Sequence, residues 1–294
     1  MGNRMDNTYI KLNGKLPKLK NPVLVVGLPG IGSVGKIVVE HIKKEFKAKK
    51  IATLYSSHFP HQVAMLKNGG IRLVNNRFYV LKSKSKKTPD IVLLTGDVQA
   101  MTSEGQYEVN EMIVDFFKNQ LKGSFIYTLG GYNISGNVAQ NPKVFGNATS
   151  MSTINKFRSK GVVFGESKGT ILGSAGLIIA FAKMNGMEGI CLMGETTFID
   201  VDHRAAKAVL ELLARELSLK IDTKNLDKMI EETAQTLKEL EQQIATSIPM
   251  PPAGLRNILR NENLFIVVGL PARLTTIKIS IIRNTDIYAF SVVI

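Results

Sequence analysis

The chain has 294 residues, of which 44% are apolar, with a formal net charge of +14 and a single cysteine. That apolar content suffices for a folded core in one large domain or two small ones and excludes an intrinsically disordered chain. One cysteine, Cys191, sits in an apolar run, which excludes an intramolecular disulfide and reads as a buried thiol in a reducing compartment.

Residues 1–20 are polar and basic, with no secretory signal ahead of the first apolar strand, so the expected location is cytoplasmic. The stretch 22–37 then runs from an apolar strand through a glycine turn into a helix. Gly30-x-Gly32-x-x-Gly35 fits the dinucleotide fingerprint, in which glycines let the backbone approach a pyrophosphate at a helix N-terminus. That fingerprint needs an acid about 20 residues on for the ribose hydroxyls, and no Asp or Glu occurs between Glu45 and Asp90. Gly30 to Lys36 also mimics a phosphate loop, but Ile37 stands where a Ser or Thr should meet magnesium. Neither reading is complete. An anion cradle at Gly30, Gly32, Ser33 and Gly35 stays open beside close strand-helix packing as the reason for the glycines.

Residues 1–100 hold 18 Lys or Arg and 5 Asp or Glu, a net of +13, which leaves +1 for the other 194. The lysines at 43–50 and 82–87 could neutralise phosphates. No nucleic-acid fold signature or interleaved aromatics accompany them, so a solvated face or an acidic protein partner is the preferred reading and nucleic acid is not expected.

A helix over 33–46 and a strand over 51–56 are followed by short strands at 62–66, 71–74 and 78–81, separated by Asn-Gly turn chemistry. The apolar run 90–95 reads as a strand buried on both faces. A helix at 103–119, a strand at 124–129 and Gly- and Asn-rich loops over 130–147 come next. A buried helix at 171–184, too short for a bilayer, a strand at 189–193 and a helix at 203–217 complete the pattern. Strands alternating with helices predict a largely parallel sheet covered on both sides, within an α/β core domain at 1–220.

Residues 221–248 form a second kind of object, an amphipathic helix. Leu226, Ile230, Thr233, Leu237, Leu240 and Ile244 recur at spacings of four and three, as on a heptad seam. Its five aliphatics would each contribute roughly 1.5 to 3 kcal/mol if buried, against about 0.2 to 0.5 kcal/mol for an exposed helical ion pair. The stripe therefore packs on its own domain, on a second copy or on a partner. Residues 249–294 read as a proline-rich linker followed by an apolar, strand-patterned tail.

Catalytic constellations are sparse. His58 and His61 flank Pro60 without a third metal ligand nearby, and Asp200 and Asp202 sit where acids cap a helix. Asp97, Glu104 and Glu195 lie near predicted strand ends, where α/β folds place ligands, although such acids are commonly caps or turn residues.

Several separated stretches resemble, in order, the archaeal branch of the proteasome-assembly-chaperone family. These are Gly27-Leu-Pro-Gly-Ile-Gly-Ser-Val-Gly-Lys36, His58-Phe-Pro60, Leu94-Thr-Gly-Asp97 with Gln99, Gly130-Gly-Tyr132 and Gly189-Ile-Cys-Leu-Met-Gly-Glu-Thr196, within residues 17–255. The resemblance implies a three-layer αβα domain similar to nucleoside phosphorylases, homo-oligomers, and ATP-independent chaperoning of proteasome α subunits without a cofactor. Some relatives have carried an ATP-grasp or carboxylate-amine ligase label. It also implies a docking tail ending in a hydrophobic residue, tyrosine and any residue. Here the penultimate residue is Val293, and Ile287-Tyr288-Ala289 lies five residues inside the end. Two functions follow as expectations: a non-enzymatic oligomeric chaperone contacting α subunits through the 226–244 stripe and Tyr288, or an enzyme or sensor of a phosphorylated small molecule or nucleoside at the glycine turn.

Overall fold

The structure, a computed structural model, describes residues 8–85, 87–134, 141–165, 169–197, 201–247, 265–269, 276–283 and 286–293. The first elements are the edge strand Tyr9–Leu12 (β1), the buried strand Val23–Gly27 (β2), a short 3-10 turn at Ile31–Ser33 and the helix Val34–Glu45 (α1). Lys49–Tyr55 (β3) follows, then a separate hairpin of Val63–Met65 (β4) and Ile71–Leu73 (β5). Asn76–Leu81 (β6), Ile91–Gly96 (β7) and Ser103–Asp115 (α2) come next, and α2 runs into a π turn at Phe116–Gln120. Phe125–Asn133 (β8), Val144–Ala148 (β9), Met151–Arg158 (α3), Ser174–Met184 (α4), Glu188–Thr196 (β10) and His203–Glu216 (α5) complete the α/β body, and Lys224–Ser247 (α6) follows.

Eight strands form one sheet in the order β1-β3-β6-β7-β2-β8-β10-β9. The centre, β7-β2-β8-β10, is parallel, while β1, β3, β6 and β9 join it antiparallel. The sheet is thus mixed rather than largely parallel, because short loops return the chain directly at β6 to β7.

Period-two alternation sends side chains to both faces. Val23 and Val25 of β2 and Leu93 of β7 pack with Val38 and Ile42 of α1 and Val209 and Leu213 of α5. Leu24, Val26 and Leu94 point the other way, onto Ile113 of α2 and Ile178 of α4. Helix, sheet and helix make the expected three-layer αβα domain. Cys191 is fully buried in this core, and burial pushes its thiol up to about 11.

Within the expected loop region at 130–147, β9 is a regular strand that pairs with the edge of β10. Just after it, α3 begins where the Ser150 hydroxyl accepts the Thr153 amide, placing Phe157 in the core.

The chain divides into two units, Met1–Glu232 and Thr233–Ile294. In the second unit, Phe265–Gly269 (β11), Thr276–Arg283 (β12) and Asp286–Val293 (β13) form an antiparallel three-stranded sheet. The proline-rich stretch 249–264 lies outside the described residues.

Candidate functional site

The glycine turn after β2 is first of all a packing device. A Cβ on Gly35 would overlap the Leu129 carbonyl of β8, and one on Gly131 would lie 2.5 Å from the Ile31 oxygen. Gly32 adopts φ 59 and Ser33 φ 49, the left-handed conformation that turns the chain into α1. The Gly32 carbonyl accepts the Asp202 amide at 2.9 Å, and the Thr196 hydroxyl donates to the Asp202 carboxylate at 2.7 Å. Asp202 also accepts the Arg204 and Ala205 amides, so it caps α5 as its position suggested. Gly32 and Ser33 therefore adjoin a carboxylate-centred cap.

Gly30 and Gly35 instead line a cavity of about 620 Å³ at the carboxyl ends of β2, β8 and β10. Connections leaving β2 and β8 run in opposite directions along the sheet order, which is the switch point where open α/β sheets hold ligands. Opposite the glycine turn stands the amino end of α4. The Gln99 side chain joins the two walls: its amide nitrogen donates to the Pro29 carbonyl at 2.5 Å and its oxygen accepts the Ser174 amide at 2.8 Å. Gly173 takes φ 76, and a Cβ there would meet the Gln99 oxygen at 2.6 Å. Ser174 is 2% exposed, and its hydroxyl has no hydrogen-bond partner among the described residues. Leaving such a buried group unpaired costs about 1–3 kcal/mol.

Chemically the cavity offers apolar surface from Leu129, Ile171 and Met193 and hydrogen-bonding groups from Asn133, Asn147, Thr170 and Tyr132. Among the described residues, no Asp, Glu, His, Lys, Arg or Cys lines it. The described lining offers no general acid-base pair.

The other sequence candidates are placed elsewhere. Asp97 accepts both guanidinium nitrogens of Arg72, at 2.5 and 2.9 Å, along with Arg77 at 3.2 Å and the Asn75 amide at 3.0 Å. Burial alone would raise its carboxyl, but these partners outweigh burial and hold it below the usual carboxylate range. Glu195 accepts the Lys143 amide, and Glu104 lies exposed in the first turn of α2. His58 bonds the Thr102 hydroxyl at 3.0 Å and lies 3.3 Å from Glu108, whereas His61 is exposed. No cluster of metal-ligating side chains occurs among the described residues, and Asp200 lies outside them.

On α6, Leu226 is 1% exposed and belongs to the core of its own body, which removes it from any partner contact. Ile230 is half-buried. Leu237, Leu240 and Ile244 lie on the same helix, and their side chains are outside the described set. Tyr288 pairs with Ile281 through the backbone of β13 and β12.

Sequence reasoning passed over two residues of the cavity, Gln99 and Ser174. Gln99 carried a signal in the motif after Asp97, while nothing local marks Ser174.

These features define a three-layer α/β protein with a switch-point cavity whose described lining is uncharged. The chain belongs to the PAC2 family, whose profile matches residues 24–241. An uncharacterized protein of Methanocaldococcus jannaschii is 36% identical over 237 residues, 80% of this chain and 90% of that relative. Among solved structures, Pyrococcus furiosus PbaB, an archaeal proteasome activator, matches with a TM-score of 0.76 at 37% identity, over 81% of this chain and 100% of PbaB. Pyrococcus furiosus PbaA, an archaeal homolog of proteasome-assembly chaperone, matches with a TM-score of 0.67 at 25% identity, over 87% of this chain and 97% of PbaA. No helix among the described residues is long and apolar enough to cross a membrane.

Proposed function

We propose that this chain is a non-enzymatic, ATP-independent chaperone or scaffold that binds proteasome α subunits and assists assembly of the 20S particle. The observation that carries the reading is the match to PbaA, an archaeal homolog of proteasome-assembly chaperone, at 25% identity over 97% of that chain, within the PAC2 family. The cavity adds support, because its lining among the described residues supplies no acid-base pair for turnover. Within this reading the protein works in the cytoplasm as a homo-oligomer through Ile230, Leu237, Leu240 and Ile244, whose spacing repeats as a seam.

PbaB is an archaeal proteasome activator, which favours a second reading in which the chain engages assembled particles. Co-purification of the full chain with separately expressed free α subunits and with assembled 20S particles, with and without ATP, decides between them. Capture of free α subunits irrespective of ATP is the expected result. Binding only to assembled particles selects the activator reading, and binding to neither rejects both.

A further inference from the structure

The antiparallel strands bring three lysine-bearing segments, far apart along the chain, to one end of the sheet. The end of β1 lies beside the start of β3, with Leu12 opposite Ala52, and the start of β3 lies beside the end of β6, with Lys49 opposite Val80. The start of β7 follows, with Ile91 opposite Leu81. Buried Asp90 ties two of the connections together, since its carboxylate accepts the Lys20 amide and the Ser83 amide, each at 2.8 Å. The Lys82 ammonium donates to the Lys18 carbonyl at 3.1 Å. Lys18, Lys47, Lys49, Lys50, Lys82 and Lys84 all stand exposed at this amino end of the central strands. We propose that it is a docking surface for an acidic protein surface, held by charge.

The fold itself does not call for these cations. A helix carboxyl end carries about half a unit of negative charge, and Lys43 and Lys44 in the last turn of α1 already answer it. Lys43 also pairs with Glu40 and lies over the Tyr79 ring at 5.1 Å. By contrast, none of the six makes an ion pair among the described residues. The acids on the same segments are Glu45 and Asp90, and both oxygens of Asp90 face backbone amides. Lys47 holds φ 50, the left-handed conformation that glycine takes more easily just past a helix end. Charge stands there in spite of the backbone.

The row β1-β3-β6-β7 covers three strand spacings, roughly 14 Å, against a Debye length of about 8 Å at physiological ionic strength. Neighbouring lysines therefore repel one another and add to a single field, which an opposing negative surface relieves. The partner chemistry follows from what accompanies the charge. Nucleic-acid surfaces add arginines that read base edges and aromatics on which bases stack. Here all six cations are lysines, and the aromatics on these segments, Phe46 and Tyr79, are half-buried. Carboxylates spread over a protein surface ask for neither.

This surface stands independently of the proteasome reading, since it uses none of the residues assigned to partner contact, and the cavity lies at the opposite end of the strands. Fluorescence anisotropy of the full chain with labelled poly-L-glutamate, and with a DNA duplex of equal charge, tests it. Poly-L-glutamate is expected to bind more tightly than the duplex, with an affinity that falls about tenfold or more between about 50 and 200 mM salt. Lys49→Gln with Lys50→Gln and Lys84→Gln should weaken that binding by about tenfold or more. Lys67→Gln with Lys143→Gln and Lys224→Gln, three exposed lysines elsewhere, should weaken it by less than about threefold. Should the first triple variant fail to fold, Lys18→Gln with Lys47→Gln carries the same test. Absence of poly-L-glutamate binding, equal losses in the two triple variants, or tighter binding of the duplex would each overturn the proposal, the last in favour of a nucleic-acid partner.

Discussion

Gly27 at the end of β2 is pressed against the Gly35 carbonyl in the first turn of α1, so that a Cβ on Gly27 would overlap that carbonyl and reach within 2.6 Å of Val39 Cγ2. Backbone cannot yield as a flexible side chain does. Gly27→Ala is therefore expected to destabilise the fold by about 3 kcal/mol. Gly30→Ala, three residues on, should stay within about 0.5 kcal/mol, because Gly30 is extended at φ -170 and its Cβ direction is open. Urea unfolding of the two variants checks the contrast, and equal losses would contradict the packing account.

Asp97 ties the β4-β5 hairpin to the sheet. Its carboxyl is held below the usual range, so the stabilisation it gives is complete above the ordinary carboxylate pKa of about 3.9 and is lost as pH falls through its lower folded value. Asp97→Asn should cost about 1–3 kcal/mol at neutral pH by stranding Arg72 and Arg77. It should also make the stability curve shallower below about pH 4. Denaturation midpoints from pH 7 down to pH 3 provide the measurement; an unchanged acid limb in the variant would mean other carboxylates govern it.

The hairpin that Arg72 anchors carries Val63, Met65, Ile71 and Leu73 on one face, with Met65 88% and Ile71 70% exposed. Its orientation depends on the Asp97 pair. Arg72→Ala should raise proteolytic cleavage between β4 and β5 severalfold, while the core melting transition moves by less than the equivalent of about 1 kcal/mol. Limited proteolysis with mapping of the cut site reads this directly, and cleavage at the wild-type rate would refute the anchoring role.

On α6 the two ends of the stripe should behave differently. Leu226→Ala empties a core position and is expected to cost about 2–4 kcal/mol without changing the oligomeric mass. Leu237→Glu with Leu240→Glu should shift the light-scattering mass toward monomer and leave the α/β body folded. Unchanged mass in that double variant would remove the seam from the oligomer interface.

For the tail, a docking carboxylate must follow the tyrosine by one residue so that charge and ring enter one pocket, and here five residues follow Ala289. Deleting 256–294 is expected to leave binding to free α subunits within about tenfold, or ~1.4 kcal/mol. Ending the chain after Ala289 should strengthen association with assembled α rings. Surface plasmon resonance on both constructions of the particle measures each arm, and complete loss of α-subunit binding on the larger deletion would make the terminus itself the recognition element.

The α/β class, the central strands and the main helices were legible in sequence because they depend on local periodicity: β2 and β7 are continuous apolar runs, and α5 and α6 carry an amphipathic stripe. The Asp202 cap and the buried thiol of Cys191 were legible for the same reason. Short edge strands β1 and β9 were not, since an edge strand draws its hydrogen bonds from a distant partner, Tyr55 opposite Tyr9 and Met193 opposite Phe145. The mixed direction of the sheet was equally hidden, because pairing direction is decided by how the chain returns rather than by composition. The cavity shows the division most clearly. Its glycines can be read along the chain, but Gln99 and Ser174 are 75 residues apart and meet only when α4 packs over the ends of β2 and β8. Burial of the Ser174 hydroxyl and its lack of a partner are consequences of that packing, and no local pattern encodes them.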